Sequence, residues 1–298
     1  MLASIVEDIK REYRLGNMIT RLVIVNFLAF GILNIFRFIL WLSNAGQVHP
    51  FYYTVRRYLT LSSDPWFDLT HPWVFITAIF LHEGIWHLLW NMLFLYWFGR
   101  IVGDLIGNHR ILPLYILGGI FSSIIFILSA QLLHYGQAGE VYALGASGAV
   151  MAIVVASAMI APDYRLHLLL IGEVRLKYVV AVLVFIDLIS LANNVNTGGH
   201  FAHLGGAFFG YLFVVLIRQG IDLGKGINQL MSYLESLRGN SYQKPRLVYR
   251  QEPPKVSSPS EKQEQARLDA ILEKIKHKGM AALSEEERIF LEKQSKSS

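Results

Sequence analysis

Six apolar runs, near residues 21–43, 72–98, 111–133, 147–161, 178–192 and 200–218, constrain this chain more than any other feature of it. Crossing the hydrocarbon core of a bilayer takes about twenty residues of helix. The runs therefore predict an all-α membrane protein with six transmembrane helices. Composition agrees: 53% of the residues are hydrophobic and only 16% are charged, a combination rare in soluble domains. The pattern divides the chain into a cytoplasmic N-terminal segment (1–20), a transmembrane domain (21–220), a cytoplasmic linker (221–262) and a C-terminal amphipathic helical hairpin (263–298).

Loop charges set the orientation. Lys10, Arg11 and Arg14 precede the first run, and Arg100 and Arg110 lie between the second and third. Arg165, Arg175 and Lys177 lie between the fourth and fifth, and Arg218 and Lys225 follow the sixth. The segments 134–146 and 193–199 carry no Lys or Arg. The positive-inside rule then places both termini in the cytoplasm. The loop at 44–71 is external in this scheme. Its Phe51, Tyr52, Tyr53, Trp66 and Phe67 suit the headgroup region, while Arg56 and Arg57 count against the orientation. Glu7, Asp8 and Glu12 are foreign to a cleaved signal peptide. The chain has no cysteine, which excludes disulfides, thiolate metal sites and a cysteine nucleophile. No nucleic-acid motif is present, and the net charge of +5 reads as topology.

The fourth run is too short. From Ser147 to Pro162 a helix reaches roughly 22 Å, against a hydrocarbon core of about 30 Å. Pro162, Asp163 and Arg165 fix its cytoplasmic end, so Ser147 stops below the outer surface and the loop before it dips into the membrane. Irregular backbone at that depth requires surrounding protein or a water-filled cavity. The expectation is a hydrated pocket with Ser147 at its floor. Gly148, Ala152 and Ala156 make a narrow face on this helix, and His203, Gly206 and Gly210 share a face of the sixth. Two such faces allow a short Ser147–His203 contact. Taken singly, each feature is ordinary membrane packing; the conjunction points to nucleophilic chemistry.

A third polar cluster supports this. In His82-Glu-Gly-Ile-Trp-His87-Leu-Leu-Trp-Asn91, His87 and Asn91 share a helix face. Both can donate hydrogen bonds to an oxyanion, as can the N–H of Ser147 at a helix start. A metal site built from His82, His87, His200 and His203 is the competing reading, but the spacing does not fit a His-Glu-x-x-His zinc pattern.

Three motifs, His82-x4-His87-x3-Asn91 followed by Phe98-Gly99, Gly145-Ala-Ser147-Gly148, and Ala202-His203-x2-Gly206-x3-Gly210, resemble those of the rhomboid intramembrane serine proteases. The likeness covers about residues 65–217. It implies a rhomboid-like bundle with a short central serine-bearing helix and a small cytoplasmic helical tail. It implies Ser147 as nucleophile and His203 as base and acid, with His87, Asn91, His82 and Gly145 in or beside the oxyanion site. It also implies no cofactor, no metal, and single-span membrane proteins as substrates in a lipid bilayer. Two positions depart from the family pattern: Val74 stands where an arginine is frequent, and Met151 where a tyrosine stacks on the base. Asp187 lies at a depth similar to His203 and can tune it; the plainer reading of the residue is a neutral aspartic acid bonded to a neighbouring helix, and the resemblance implies a dyad. A catalytically silent client-binding relative is the alternative function, and inverted repeats that would favour a transporter are absent.

The tail has a linker at Glu252–Ser260 and apolar residues Ala266, Leu268, Ile271, Leu272 and Ile275 at helical spacing. Gly279 ends that helix, and Ser284 with Glu287 forms a capping box. The tail resembles those of some bacterial rhomboid relatives, which implies a bacterial inner membrane as the location. Its partner is not legible.

Overall fold

The computed structural model describes residues 17–135, 139–168, 172–193, 196–237 and 259–295. The charged N-terminal residues Glu7 to Arg14 and most of the Glu252–Ser260 linker lie outside them. Two units are present, 1–241 and 242–298.

The first unit is built from α1 (Met18–Ser43), α2 (Pro50–Arg57), α3 (Pro65–Thr70), α4 (Val74–Thr77), α5 (Ile85–Ile106), α6 (Ile111–Leu133), α7 (Ser147–Ile160), α8 (Leu176–Ser190), α9 (Thr197–Arg218) and α10 (Lys225–Leu237). Among the described residues, three helices are long and apolar enough to cross a membrane: α1, α6 with its preceding turn, and α9. A fourth span arises if the segments 74–80 and 85–106, bent by 95°, count as one. The run at 72–98 thus is not the single helix its hydropathy predicts. Gly84 in extended conformation separates the two pieces, and backbone partners from elsewhere in the chain hold the break. α10 falls inside the segment read as a linker.

The apolar surface is arranged for lipid. Ile32, Ile35, Phe38, Ile39 and Leu42 of α1 are all exposed, while Ile19, Leu22 and Asn26 face inward. The buried Asn26 is satisfied: its amide donates to Leu22 O and to the Tyr115 hydroxyl, which donates in turn to Ile79 O at 2.9 Å. An unpaired amide there would cost several kcal/mol, so this link binds α1, α6 and the bend before α5 together.

α7 sits at the centre. Its 14 residues reach roughly 21 Å. Ala149, Ala152, Ile153, Val154 and Ala156 are fully buried, so every side of the helix is covered. α9 lies against it closely enough that a Cβ at Gly206 would collide with the carbonyl of Gly148, and one at Gly210 with the carbonyl of Ala152. On the other side a Cβ at Gly148 would strike Ser122 Oγ, which donates to Ala202 O at 2.6 Å and ties α6 to α9. Small residues allow this approach.

The loop between α1 and α5 is tied to the segment leading into α7. The short strands β1 (Leu61–Ser62) and β2 (Tyr142–Ala143) pair antiparallel, Leu61 opposite Ala143 and Ser62 opposite Tyr142. Ser63 N–H donates to Val141 O at 2.8 Å, and Val141 N–H to Ser63 Oγ at 3.0 Å. Arg57 bonds Glu140 at 2.8 Å, and Arg56 pairs with Glu83. The two loop arginines are therefore matched by two glutamates. Burial pushes the Glu140 carboxyl up, but bonds from Tyr142, Arg57 and Ser62 outweigh it and hold it below the usual range. Asp68, fully buried, accepts from Ser62 N–H at 3.0 Å; burial pushes it up to about 6. Beyond α7, β3 (Arg165–Leu168) and β4 (Gly172–Arg175) form an antiparallel hairpin.

In the second unit, α11 (Pro259–Lys278) and α12 (Glu285–Ser295) bury Ile271 and Leu283. The capping box forms: Ser284 N–H donates to Glu287, and Glu287 N–H to Ser284 Oγ.

Candidate active site

Ser147 is the first residue of α7, and no side chain caps that helix start. Its first N–H groups therefore lack partners within the helix, and the positive end of the helix dipole lies beside the serine. The turn into the helix needs a glycine. Gly145 has φ of +129°, and a Cβ on it would sit 2.8 Å from the His87 ring. Gly145 N–H donates to Ala78 O at 2.9 Å, anchoring the loop to the bend before α5.

A cavity of about 890 Å³ opens above this turn. Ser147, His203, His87, Asn91, Met151 and Asp187 all line it, as do Trp86 and Trp90. The residues expected to carry chemistry thus come from α5, α7, α8 and α9 and meet at one space. Among the described residues no hydrogen bond joins Ser147 Oγ to His203. Catalytic hydrogen bonds are commonly long before substrate binds. Asn91 is buried, and its Nδ2 donates to His87 O at 2.8 Å, which leaves one amide proton for another acceptor.

His82 departs from its expected place. It precedes α5 rather than standing on it, is fully buried, and does not line the cavity. Its Nε2 lies 3.4 Å from Ala146 N, so it supports the loop before the serine instead of facing the oxyanion position. The packing glycines Gly148, Gly206 and Gly210 lie at the α7–α9 contact described above. Val74 is buried in α4, and Met151 is buried beside the cavity.

Asp187 is the residue whose surroundings the sequence described least well. It is buried on α8, and its Oδ1 lies 2.9 Å from His203 Nδ1 and 2.7 Å from His200 Nδ1. Depth matching from the sequence brought Asp187 level with His203, but nothing in the spacing indicated that one oxygen serves two imidazoles. These three residues also present ligand atoms within 4.8 Å of one another, a geometry open to a metal ion. The two hydrogen bonds already account for their approach.

The Rhomboid domain model matches residues 69–220, just over half of the chain. A family of unknown function (DUF6576) matches residues 259–297, which hold α11 and α12. The presenilin-associated rhomboid-like mitochondrial protein of Bos taurus is 27% identical over 218 residues, covering 71% of this chain and 53% of that protein. RHOMBOID-like protein 12 of Arabidopsis thaliana, also mitochondrial, is 31% identical over 156 residues, 49% of this chain and 46% of that protein. YdcA of Bacillus subtilis, named for the rhomboid proteases, is 30% identical over 139 residues, 46% of this chain and 64% of that protein. The chain spans about a third to a half of the first curated relatives it matches. With this match lying across the helices that surround the cavity, the chain belongs to the rhomboid family.

Proposed function

We propose that the chain is an intramembrane serine endopeptidase that cuts single-span membrane proteins through a Ser147–His203 pair. One observation carries the reading: Ser147, His203, His87 and Asn91, from three helices, line a single cavity at the uncapped start of a buried helix.

In this mechanism Ser147 Oγ attacks the scissile carbonyl carbon while His203 takes its proton. The carbonyl oxygen becomes an oxyanion, which accepts from the Ser147 N–H, the His87 ring and the second Asn91 amide proton. Collapse breaks the C–N bond, and His203 returns the proton to the leaving amine. Water then enters the cavity, loses a proton to His203 and adds to the acyl carbon; the C–Oγ bond breaks, and His203 returns the proton to Ser147 Oγ. The residues needed for each proton are in this chain.

The accompanying topology has six spans. α5 with its bent lead-in, α7 and α8 are the ones that fall short of a full crossing or break. In this reading both termini face the cytoplasm, the side that the loop charges favour; Arg56 and Arg57, the two arginines that count against it, pair with Glu83 and Glu140. The hairpin of α11 and α12 is a separate cytoplasmic element.

Reconstitution with a model single-span substrate tests the reading. Wild type is expected to cut it, and Ser147→Ala to leave it intact while remaining folded. A client-binding relative without protease activity would hold the substrate uncut in both forms and would not react with a fluorophosphonate.

A further inference from the structure

The proposed base has a second ring nitrogen, and its surroundings go beyond a two-residue mechanism. His203 and His200 stand one turn apart on α9, and both direct Nδ1 to the same oxygen of Asp187, at 2.9 and 2.7 Å. Asp187 is one of only three residues that α8 buries, with Leu176 and Val180. The side chains of the three retain 10%, 19% and 24% exposure for Asp187, His200 and His203, so the cluster is not in open solvent, and Asp187 and His203 line the cavity.

The chemistry of one oxygen shared by two imidazoles is restrictive. An ionised carboxylate only accepts, so each Nδ1 that approaches it carries the proton. A neutral imidazole protonated at Nδ1 has a bare Nε2. A bare Nε2 is the form a general base needs if Nε2 is to take the serine proton. The same carboxylate stands beside the imidazolium that forms after proton transfer and offsets its charge in a site of low dielectric. His200 has no step in the proposed reaction; its Nδ1–H holds the carboxylate from the other side and fixes which way Oδ1 faces.

We propose that Asp187, braced by His200, is a positioning residue that holds His203 in the Nδ1–H tautomer and in place for Ser147. This rests on the serine-protease reading above. It makes the site a chain of four groups, Ser147, His203, Asp187 and His200, with two of them acting through a third.

Two measurements test it on the full-length protein in lipid. The first is the 15N spectrum of wild-type protein labelled at histidine, with His203 assigned by loss of its signals in His203→Gln. The proposal requires a protonated Nδ1 and a bare Nε2 at neutral pH; a His203 protonated at Nε2 alone overturns it, whatever the protein cuts. The second is kinetic. Asp187→Asn is expected to lower kcat by about 10²- to 10⁴-fold with KM within about twofold and the melting temperature unchanged. Asp187→Glu is expected to recover part of that loss, and His200→Gln to lose less than Asp187→Asn. A merely structural aspartate would change stability and KM and show no rescue by glutamate. If Asp187→Asn does not fold, Asp187→Glu and His200→Gln carry the comparison, and wild-type kcat in both overturns the proposal. If wild type and Ser147→Ala are equally inactive, the protease reading fails, and the tautomer measurement still decides whether Asp187 orients His203.

Discussion

α7 and α8 are neighbours along the chain, near-equal in length, and opposite in how they are held. α7 is covered on all sides, and glycines bring its backbone against α9. α8 buries only Leu176, Val180 and Asp187, while Val182, Phe185, Ile186, Leu188 and Ile189 are each at least half exposed. The serine thus stands on the most constrained helix in the bundle, and a cavity wall (Leu183 and Ile186) on one of the least constrained. The proposed reaction needs its nucleophile held to within about half an ångström and a wall that can give way to a substrate, and that division suits both. It also places Asp187 as the main polar tie between the loose helix and α9, since its two histidine bonds cross that boundary.

The largest expected effect breaks the rigid side. Gly206→Val puts a branched side chain into the carbonyl of Gly148, where neither backbone can yield without separating α7 from α9. Loss of about 3 kcal/mol or more is expected, read as a collapse of the folded fraction in a thermal or denaturant titration. Next comes Asn91→Ala, which removes a proposed oxyanion donor from α5 without touching the α7–α9 contact. Turnover is expected to fall about 10²- to 10³-fold with stability little changed, measured as kcat on the reconstituted substrate.

A third prediction concerns how the serine end of α7 is pinned from the loop. Asp68 has its carboxyl pushed up to about 6 by burial. The folded state therefore keeps a proton that the unfolded chain gives up near pH 4. Its contribution is fully present below about pH 4 and is lost as the pH rises through about 6, by up to about 3 kcal/mol. Asp68→Asn should flatten the fall in melting temperature between those limits. Glu140, held below its ordinary range, acts in the opposite sense: its contribution is present above the unfolded carboxylate range and is lost as pH drops. The smallest effect belongs to the loose side. Phe185→Ala on α8 should change stability by no more than about 0.5 kcal/mol, and amides of α8 should exchange with deuterium well before those of α7.

Much of this arrangement was legible from residue patterns, and the failures have physical causes. Hydropathy located the helices because lipid demands continuous apolar surface, and the glycine spacing of His203, Gly206 and Gly210 marked the α9 face that meets α7. Hydropathy could not find the break at Gly84, since the residues on both sides are apolar. The break is held by long-range bonds, Gly145 to Ala78 and Ala146 to His82, that no local window contains. His82 falls inside the apolar run at 72–98, yet the break leaves it ahead of α5. The two-residue strands β1 and β2 are too short to show a period of two. For Asp187, rise per residue matched its depth to His203, but the direction of a side chain around a helix of loosely apolar sequence is not encoded in depth. His200 carries no local signal of this role, because its partner lies on another helix.

The central claim is that Ser147 is a nucleophile activated by His203, and mapping a fluorophosphonate adduct by mass spectrometry tests it most directly. The account predicts a single adduct on Ser147 in wild type and its disappearance in folded His203→Ala. An adduct on another residue, or undiminished labelling of Ser147 without His203, would contradict it.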